Sequence, residues 1–88
     1  PGAYQIIDVR QETEYAQGHL PGAKLIPLDK LVAGEGQLDD LPILVYCRSG
    51  NRSAAAVEIM QDLGFTEIYE LADGIQAWVG SGRQLTTG

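Results

Sequence analysis

Several residue types are scarce in this sequence, and each shortage excludes a class of structure. The 88 residues include one cysteine and one histidine. A lone cysteine cannot form an internal disulfide, so nothing indicates an oxidised structural framework. No second histidine accompanies His19, and we expect neither a metal site nor a cofactor. The composition, 44% apolar and 20% charged, is typical of a globular chain rather than a disordered one.

Basic residues and long apolar runs are also scarce. Twelve acidic residues against six basic ones give a net charge of −6, which argues against nucleic acid or an anionic membrane as a partner. No apolar run approaches the roughly 20 residues that span a bilayer. We expect a single domain over residues 1–88, soluble and cytoplasmic, or periplasmic if the chain is a processed form. Because the first residue is not Met, we expect a processed or excised piece.

One short stretch reverses the sign of the charge in this acidic chain. Two of the six basic residues lie in a seven-residue loop between the β-branched run at 43–45 and the helix-forming run at 54–60. The loop reads Cys47-Arg48-Ser49-Gly50-Asn51-Arg52-Ser53. A strand that passes through a short loop into a helix points the first free N–H groups of that helix at one place. The sequence therefore predicts an anion-binding loop.

Cys47 stands at the start of this loop, where its surroundings favour the thiolate. The helix N-terminus and the guanidinium groups of Arg48 and Arg52 both stabilise negative charge on sulfur. Gly50 allows positive φ, so that successive N–H groups turn inward, and Ser53 is placed to cap the helix. We predict a nucleophile that is partly ionised near neutral pH. The alternative is that Cys47 is a small, buried apolar residue without a chemical role. Composition alone favours the two interpretations of Cys47 equally.

The loop resembles the active-site loop of the rhodanese family of sulfurtransferases. Two further segments are similar to that family, and with the loop they cover nearly the whole chain. They are Asp8-Val9-Arg10 through Glu14-Tyr15 to Gly18-His19-Leu20-Pro21-Gly22-Ala23, and Asp73-Gly74-Ile75-Gln76-Ala77-Trp78. Asp73 stands where the family often has another glycine. Many members also have an extra strand and helix before the first strand predicted here, so we expect a minimal or trimmed version.

The resemblance implies the chemistry of the site. Cys47 would attack the outer sulfur of a donor such as thiosulfate and become a persulfide, and cyanide or a cellular thiol would then remove that sulfur. The loop would bind the anionic groups through Arg48, Ser49, Gly50, Asn51, Arg52 and Ser53. This is ping-pong covalent catalysis with a small anionic donor and a thiol, cyanide or protein acceptor.

Two other functions remain open from the residues alone. Phosphatases and arsenate reductases use a similar cradle, but their loop is usually longer than the four residues between Cys47 and Arg52. A tighter ring suits a single sulfur atom better than a tetrahedral phosphate or arsenate. The other alternative is a persulfide carrier or docking module of a larger protein, which hands sulfur to a partner with little turnover of its own.

Strands and helices are predicted to alternate along the chain. Strands are predicted at 4–9, 23–27, 43–46 and 68–71, and helices at 11–17, 28–32, from Ser53 to Leu63, and after Gly74. Right-handed crossovers then give an α/β fold with a small parallel sheet of four to five strands and helices on both faces, rhodanese-like. Ligands bind beyond the carboxyl ends of such strands, where Cys47 lies. Residues 83–88 are predicted as an edge strand or a frayed tail.

Four polar residues outside the loop are given structural roles. Asp8 and Arg10 are predicted to form a buried charged pair at the end of the first strand. Arg10 and Glu14 are four residues apart and can pair across one helical turn. His19 lies in a turn signature, and we interpret it as a residue that hydrogen-bonds locally rather than a catalytic one.

Overall fold

A four-stranded parallel sheet forms the centre of the structure, a computed structural model that describes residues 3–48, 50–71 and 73–87. The strands are β1 (Gln5–Asp8), β2 (Ala23–Leu25), β3 (Ile43–Tyr46) and β4 (Ile68–Glu70). The helices are α1 (Glu12–Gln17), α2 (Leu28–Val32), α3 (Asn51–Asp62) and α4 (Gly74–Gly80). The strand order β2-β1-β3-β4 puts β1 beside β3, and all strand pairs are parallel. The predicted α/β architecture is confirmed.

Two apolar cores lie on opposite faces of the sheet, because successive strand residues point to opposite sides. On one face, strand residues such as Ile7 and Val45 pack with Ala56 and Met60 of α3 and Leu31 of α2. On the other face, Leu20, Tyr46 and Ile75 form a smaller core against which Tyr15 and Trp78 are packed. Helices therefore cover both faces, and the partly buried Trp78 packs against the smaller core.

The carboxyl ends of β1 and β3 define the edge where a ligand is expected. These strands pair in register from Gln5–Ile43 to Asp8–Tyr46. The chain leaves β1 towards β2 on one side, whereas β3 and β4 lie on the other side. Such a switch point between neighbouring strands opens a crevice beyond their carboxyl ends. Cys47 directly follows β3 and therefore lies at this edge of the sheet.

The end of the chain differs from both predicted alternatives. Residues 83–87 form neither a full edge strand nor a frayed tail, because Thr86 makes one antiparallel bridge with His19. The N–H of each residue donates to the carbonyl of the other, at 2.9 and 2.8 Å. Among the helices that the structure describes, none is long and apolar enough to cross a membrane.

Candidate active site

Cys47 is buried, but polar groups hold its sulfur. The residue is 1% exposed and belongs to the core between the sheet, α2 and α3. Burial is what the interpretation as a small hydrophobe predicts. The Gly50 N–H nevertheless donates a hydrogen bond to Cys47 Sγ at 3.0 Å, and Ser53 Oγ lies 3.5 Å from the same sulfur. The sulfur is thus enclosed and hydrogen-bonded by the loop, an environment that a purely apolar side chain does not need.

Gly50 makes this geometry by ending the loop in the left-handed region. Its φ is 106°, its N–H donates to Cys47 Sγ, and α3 starts directly after it at Asn51, two residues earlier than predicted. The prediction that Ser53 caps this helix is wrong, because Gly50 is the N-cap and Ser53 lies inside the first turn. Ser49 lies outside the described residues.

The two loop arginines have different surroundings. Arg52 is predicted to bind substrate, but its guanidinium makes two hydrogen bonds to the Glu14 carboxylate, at 2.6 and 2.9 Å. These hydrogen bonds lower the pKa of Glu14 to about 2. Arg48 is exposed, and no ion pair involves it within residues 3–48, 50–71 and 73–87. The expected pairing of Arg10 with Glu14 is wrong, since Arg52 takes that carboxylate.

A buried polar cluster supports the end of the two central strands. Arg10 binds the Asp8 carboxylate at 2.6 to 3.1 Å and also donates to Gly18 O at 2.8 Å. The predicted structural pair of Asp8 and Arg10 is therefore confirmed. Tyr46, which no sequence signal singled out, joins this cluster: its hydroxyl donates to Asp8 Oδ2 at 2.6 Å and accepts from the Leu20 N–H at 3.1 Å. Burial raises the pKa of Tyr46, so this hydroxyl stays protonated.

The start of α4 braces the back of the loop. The Ile75 N–H donates to Cys47 O at 2.9 Å, and the Gln76 N–H lies 3.4 Å from Arg48 O. Gly74 permits this approach, because a Cβ on it would lie 2.5 Å from Cys47 O and closer still to Arg48 O. Its φ of 67° also lies in the left-handed region. The sequence predicts a helix after Gly74 but carries no signal of this contact with the loop.

A cleft of about 650 Å³ opens beside Arg48, between α1 and α4. One part of its lining is charged and includes Arg10, Glu14 and Arg48. Another part is apolar and includes Ile75 and Val79. The cleft is much larger than a small inorganic anion.

His19 does not take part in this site as a free imidazole. It is 2% exposed, its ring stacks on Tyr15 with 3.6 Å between centroids, and its Nδ1 lies 2.9 Å from Tyr15 O. The predicted local hydrogen bond is confirmed. Among the described residues, no group of three or more His, Cys, Asp or Glu side chains could hold a metal ion.

Comparison with known proteins identifies the family. The family model described as a rhodanese-like domain matches residues 1–81. The crystal structure of a rhodanese-related protein from Thermoplasma volcanium superposes with a TM-score of 0.88 at 36% identity, covering 98% of this chain and 86% of that one.

Two curated relatives extend the comparison. YqhL of Bacillus subtilis is 39% identical over 77 residues, which are 86% of this chain and 61% of that protein. The probable adenylyltransferase/sulfurtransferase MoeZ of Mycobacterium tuberculosis is 38% identical over 76 residues, 83% of this chain and 19% of that protein. The chain thus spans less than two thirds of the length of these relatives. From the family model and the matching structure, the chain belongs to the rhodanese-like domain family.

Proposed function

We propose that this protein transfers a sulfane sulfur from an anionic donor such as thiosulfate to a thiol or cyanide, through a persulfide on Cys47. The observation that carries the proposal is the 3.0 Å hydrogen bond from the Gly50 N–H to Cys47 Sγ, made where β3 leads into α3. A backbone donor aimed at sulfur stabilises the thiolate and any negative charge that remains there during the reaction. A relative named as a sulfurtransferase supports the same chemistry.

In the first half-reaction, the Cys47 thiolate attacks the outer sulfur of thiosulfate. A new S–S bond forms to Cys47, the S–S bond of the donor breaks, and sulfite leaves with the electron pair. The persulfide on Cys47 keeps the negative charge on its terminal sulfur. The loop N–H groups then stabilise a charge that has moved outward by one atom, as oxyanion holes do for developing charge.

In the second half-reaction, an acceptor thiolate or cyanide attacks that terminal sulfur. The bond between the two sulfurs of the persulfide breaks, and Cys47 leaves as a thiolate, ready for the next donor. The two half-reactions share one covalent intermediate, which makes the mechanism ping-pong. The cleft beside Arg48 has room for an acceptor larger than cyanide.

We assign donor recognition mainly to Arg48. Its guanidinium is exposed and lines the cleft, whereas that of Arg52 is occupied by Glu14. A planar guanidinium can donate two parallel hydrogen bonds to a sulfonate oxygen pair. Arg52 then acts indirectly, by joining α1 to the first turn of α3.

Intact-mass measurement after incubation with thiosulfate tests the proposal most directly. We expect a gain of one sulfur atom, reversed by cyanide with formation of thiocyanate, and no gain in the nearly isosteric Cys47→Ser variant. A chain that gains no sulfur while remaining folded would contradict the nucleophile assignment.

Turnover separates the remaining functions. Repeated thiocyanate formation indicates an enzyme, whereas one sulfur per chain without turnover indicates a persulfide carrier. Hydrolysis of an aryl phosphate without any persulfide would support the phosphatase alternative instead.

A further inference from the structure

Glu70 lies at the end of β4 and is connected to the sulfur of Cys47 through one hydroxyl group. Ser53 is fully buried, and its Oγ lies 2.7 Å from Glu70 Oε2 and 3.5 Å from Cys47 Sγ. The same Oγ is 3.1 Å from Gly50 O. These three residues come from β4, α3 and the loop after β3. The binding of an anionic donor does not require a carboxylate that is hydrogen-bonded to a buried hydroxyl beside the nucleophile.

The single hydrogen of the Ser53 hydroxyl decides what this arrangement does. Ser53 Oγ has two oxygen acceptors within reach, and the charged carboxylate at 2.7 Å forms the stronger hydrogen bond. With its hydrogen directed to Glu70, the hydroxyl presents a lone pair to Cys47. It can then accept a hydrogen bond from the thiol but cannot donate one to the thiolate.

We propose that Glu70, acting through the Ser53 hydroxyl, is a positioning residue that keeps Cys47 a basic and therefore strongly nucleophilic thiolate. The carboxylate has two effects, and both make the Cys47 thiolate more basic. Its negative charge disfavours a second negative charge on the nearby sulfur. It also withholds from that sulfur a hydrogen-bond donor that would stabilise the thiolate. This inference rests on the proposed role of Cys47 as the nucleophile.

Other charged groups around Cys47 act in the opposite direction or are already neutralised by partners. Arg48 follows Cys47 in the chain and is exposed, Arg52 of α3 is paired with Glu14 of α1 and also interacts electrostatically with Cys47, and Arg10 is paired with Asp8 at the end of β1. Helix α4 carries no ionisable side chain between Gly74 and Gly80, and α2 carries Asp29 and Lys30, both on its outer side. Glu70 is thus a carboxylate that reaches the hydroxyl beside Cys47 and opposes the effects of Arg52 and of the Gly50 N–H on the sulfur.

A more basic thiolate is a better nucleophile once it is formed. The rate constant for attack by a thiolate rises with the pKa of its thiol, with a Brønsted coefficient of about 0.4–0.5. An increase of one pKa unit therefore raises this rate constant about threefold. The loop N–H groups and Arg48 favour ionisation, whereas Glu70 limits how far the basicity falls. The site therefore balances the amount of thiolate against its intrinsic reactivity.

The test is the pH dependence of Cys47 alkylation by iodoacetamide in Glu70→Gln. Glutamine has nearly the same shape but carries no charge, and its amide oxygen is a weaker acceptor that no longer holds the Ser53 hydrogen away from the sulfur. We expect the thiol pKa from the rate profile to fall by about 0.5–1 unit. The plateau rate at high pH should fall about two- to threefold, because the thiolate is less basic. The matched control, Glu67→Gln, changes an exposed glutamate just before β4 and should leave the profile as in the unaltered protein.

Two further measurements separate the possible failures. In a Ser53→Ala background, Glu70→Gln should shift the pKa less than in the native background, because only the charge effect remains. An unchanged profile in folded Glu70→Gln would overturn the inference, and so would equal shifts in Glu70→Gln and Glu67→Gln. Since alkylation needs no sulfur donor, these results stand apart from the thiosulfate mass measurement, whose failure would overturn the proposed function instead.

Discussion

Replacing Gly74 with alanine should damage the protein more than the same replacement at Gly34. Both glycines have φ in the left-handed region, 67° and 78°, so both variants incur the strain of an L-residue there, about 1–2 kcal/mol. A Cβ at Gly34 meets nothing within 4 Å, whereas one at Gly74 overlaps the carbonyl oxygens of Cys47 and Arg48. Relieving an overlap with main chain costs about 1–3 kcal/mol more. The free energy of unfolding of Gly74→Ala should therefore be lower than that of the unaltered protein by about 2–5 kcal/mol in total.

Urea denaturation of the two variants measures this difference. A domain of this size has a stability of about 4–13 kcal/mol, so Gly34→Ala should stay folded and Gly74→Ala should be marginal. With a slope of about 1 kcal/mol per M, the midpoints of the two variants should differ by about 1–3 M. Below its midpoint, Gly74→Ala should also show altered alkylation of Cys47, because the loop carbonyls must move. Equal midpoints would refute the claim that Gly74 admits the loop main chain.

Two other predictions concern the charged residues around the loop. The lowered pKa of Glu14 means that its ion pair with Arg52 stabilises the fold above the ordinary carboxyl range and is lost as pH falls from about 4.5 towards 2. In urea denaturation, Glu14→Gln should thus lower the free energy of unfolding by about 1–2 kcal/mol at pH 7 and by almost nothing near pH 2. A loss of stability that does not depend on pH would contradict the pairing. Arg48→Ala should raise the KM for thiosulfate about tenfold with a smaller effect on kcat, as for a lost charged hydrogen bond, while Lys24→Ala on β2 leaves both unchanged. A KM that stays constant in Arg48→Ala would show that another group binds the donor.

The sequence predicts the element order and the parallel sheet well, because the local signals agree with the global fold. The apolar run before Cys47 is short and β-branched, and the alanine-rich run after it can only be helical, so β3, the loop and α3 follow. The sequence predicts the first and last residues of the helices and strands less well. Ser53 has the side chain of a typical N-cap, but Gly50 starts the helix because its positive φ bends the main chain earlier.

The partners of the charged side chains could not be predicted from spacing. Arg10 and Glu14 are at a helical distance in sequence, yet Arg10 lies before α1 and turns to Asp8. Glu14 instead meets Arg52, 38 residues away, an encounter that depends on how α1 and α3 lie around the sheet. The connection of Glu70 to Ser53 arises in the same way, from two elements that meet only in the folded chain.

The bracing of the loop by α4 has a consequence for how the protein is made. The proposed nucleophile is at residue 47, but the N–H groups that hold the carbonyls of Cys47 and Arg48 belong to residues 75 and 76. During synthesis from the N-terminus, the cysteine emerges before these groups exist. We therefore expect the loop of a nascent chain to take its final geometry only when α4 docks.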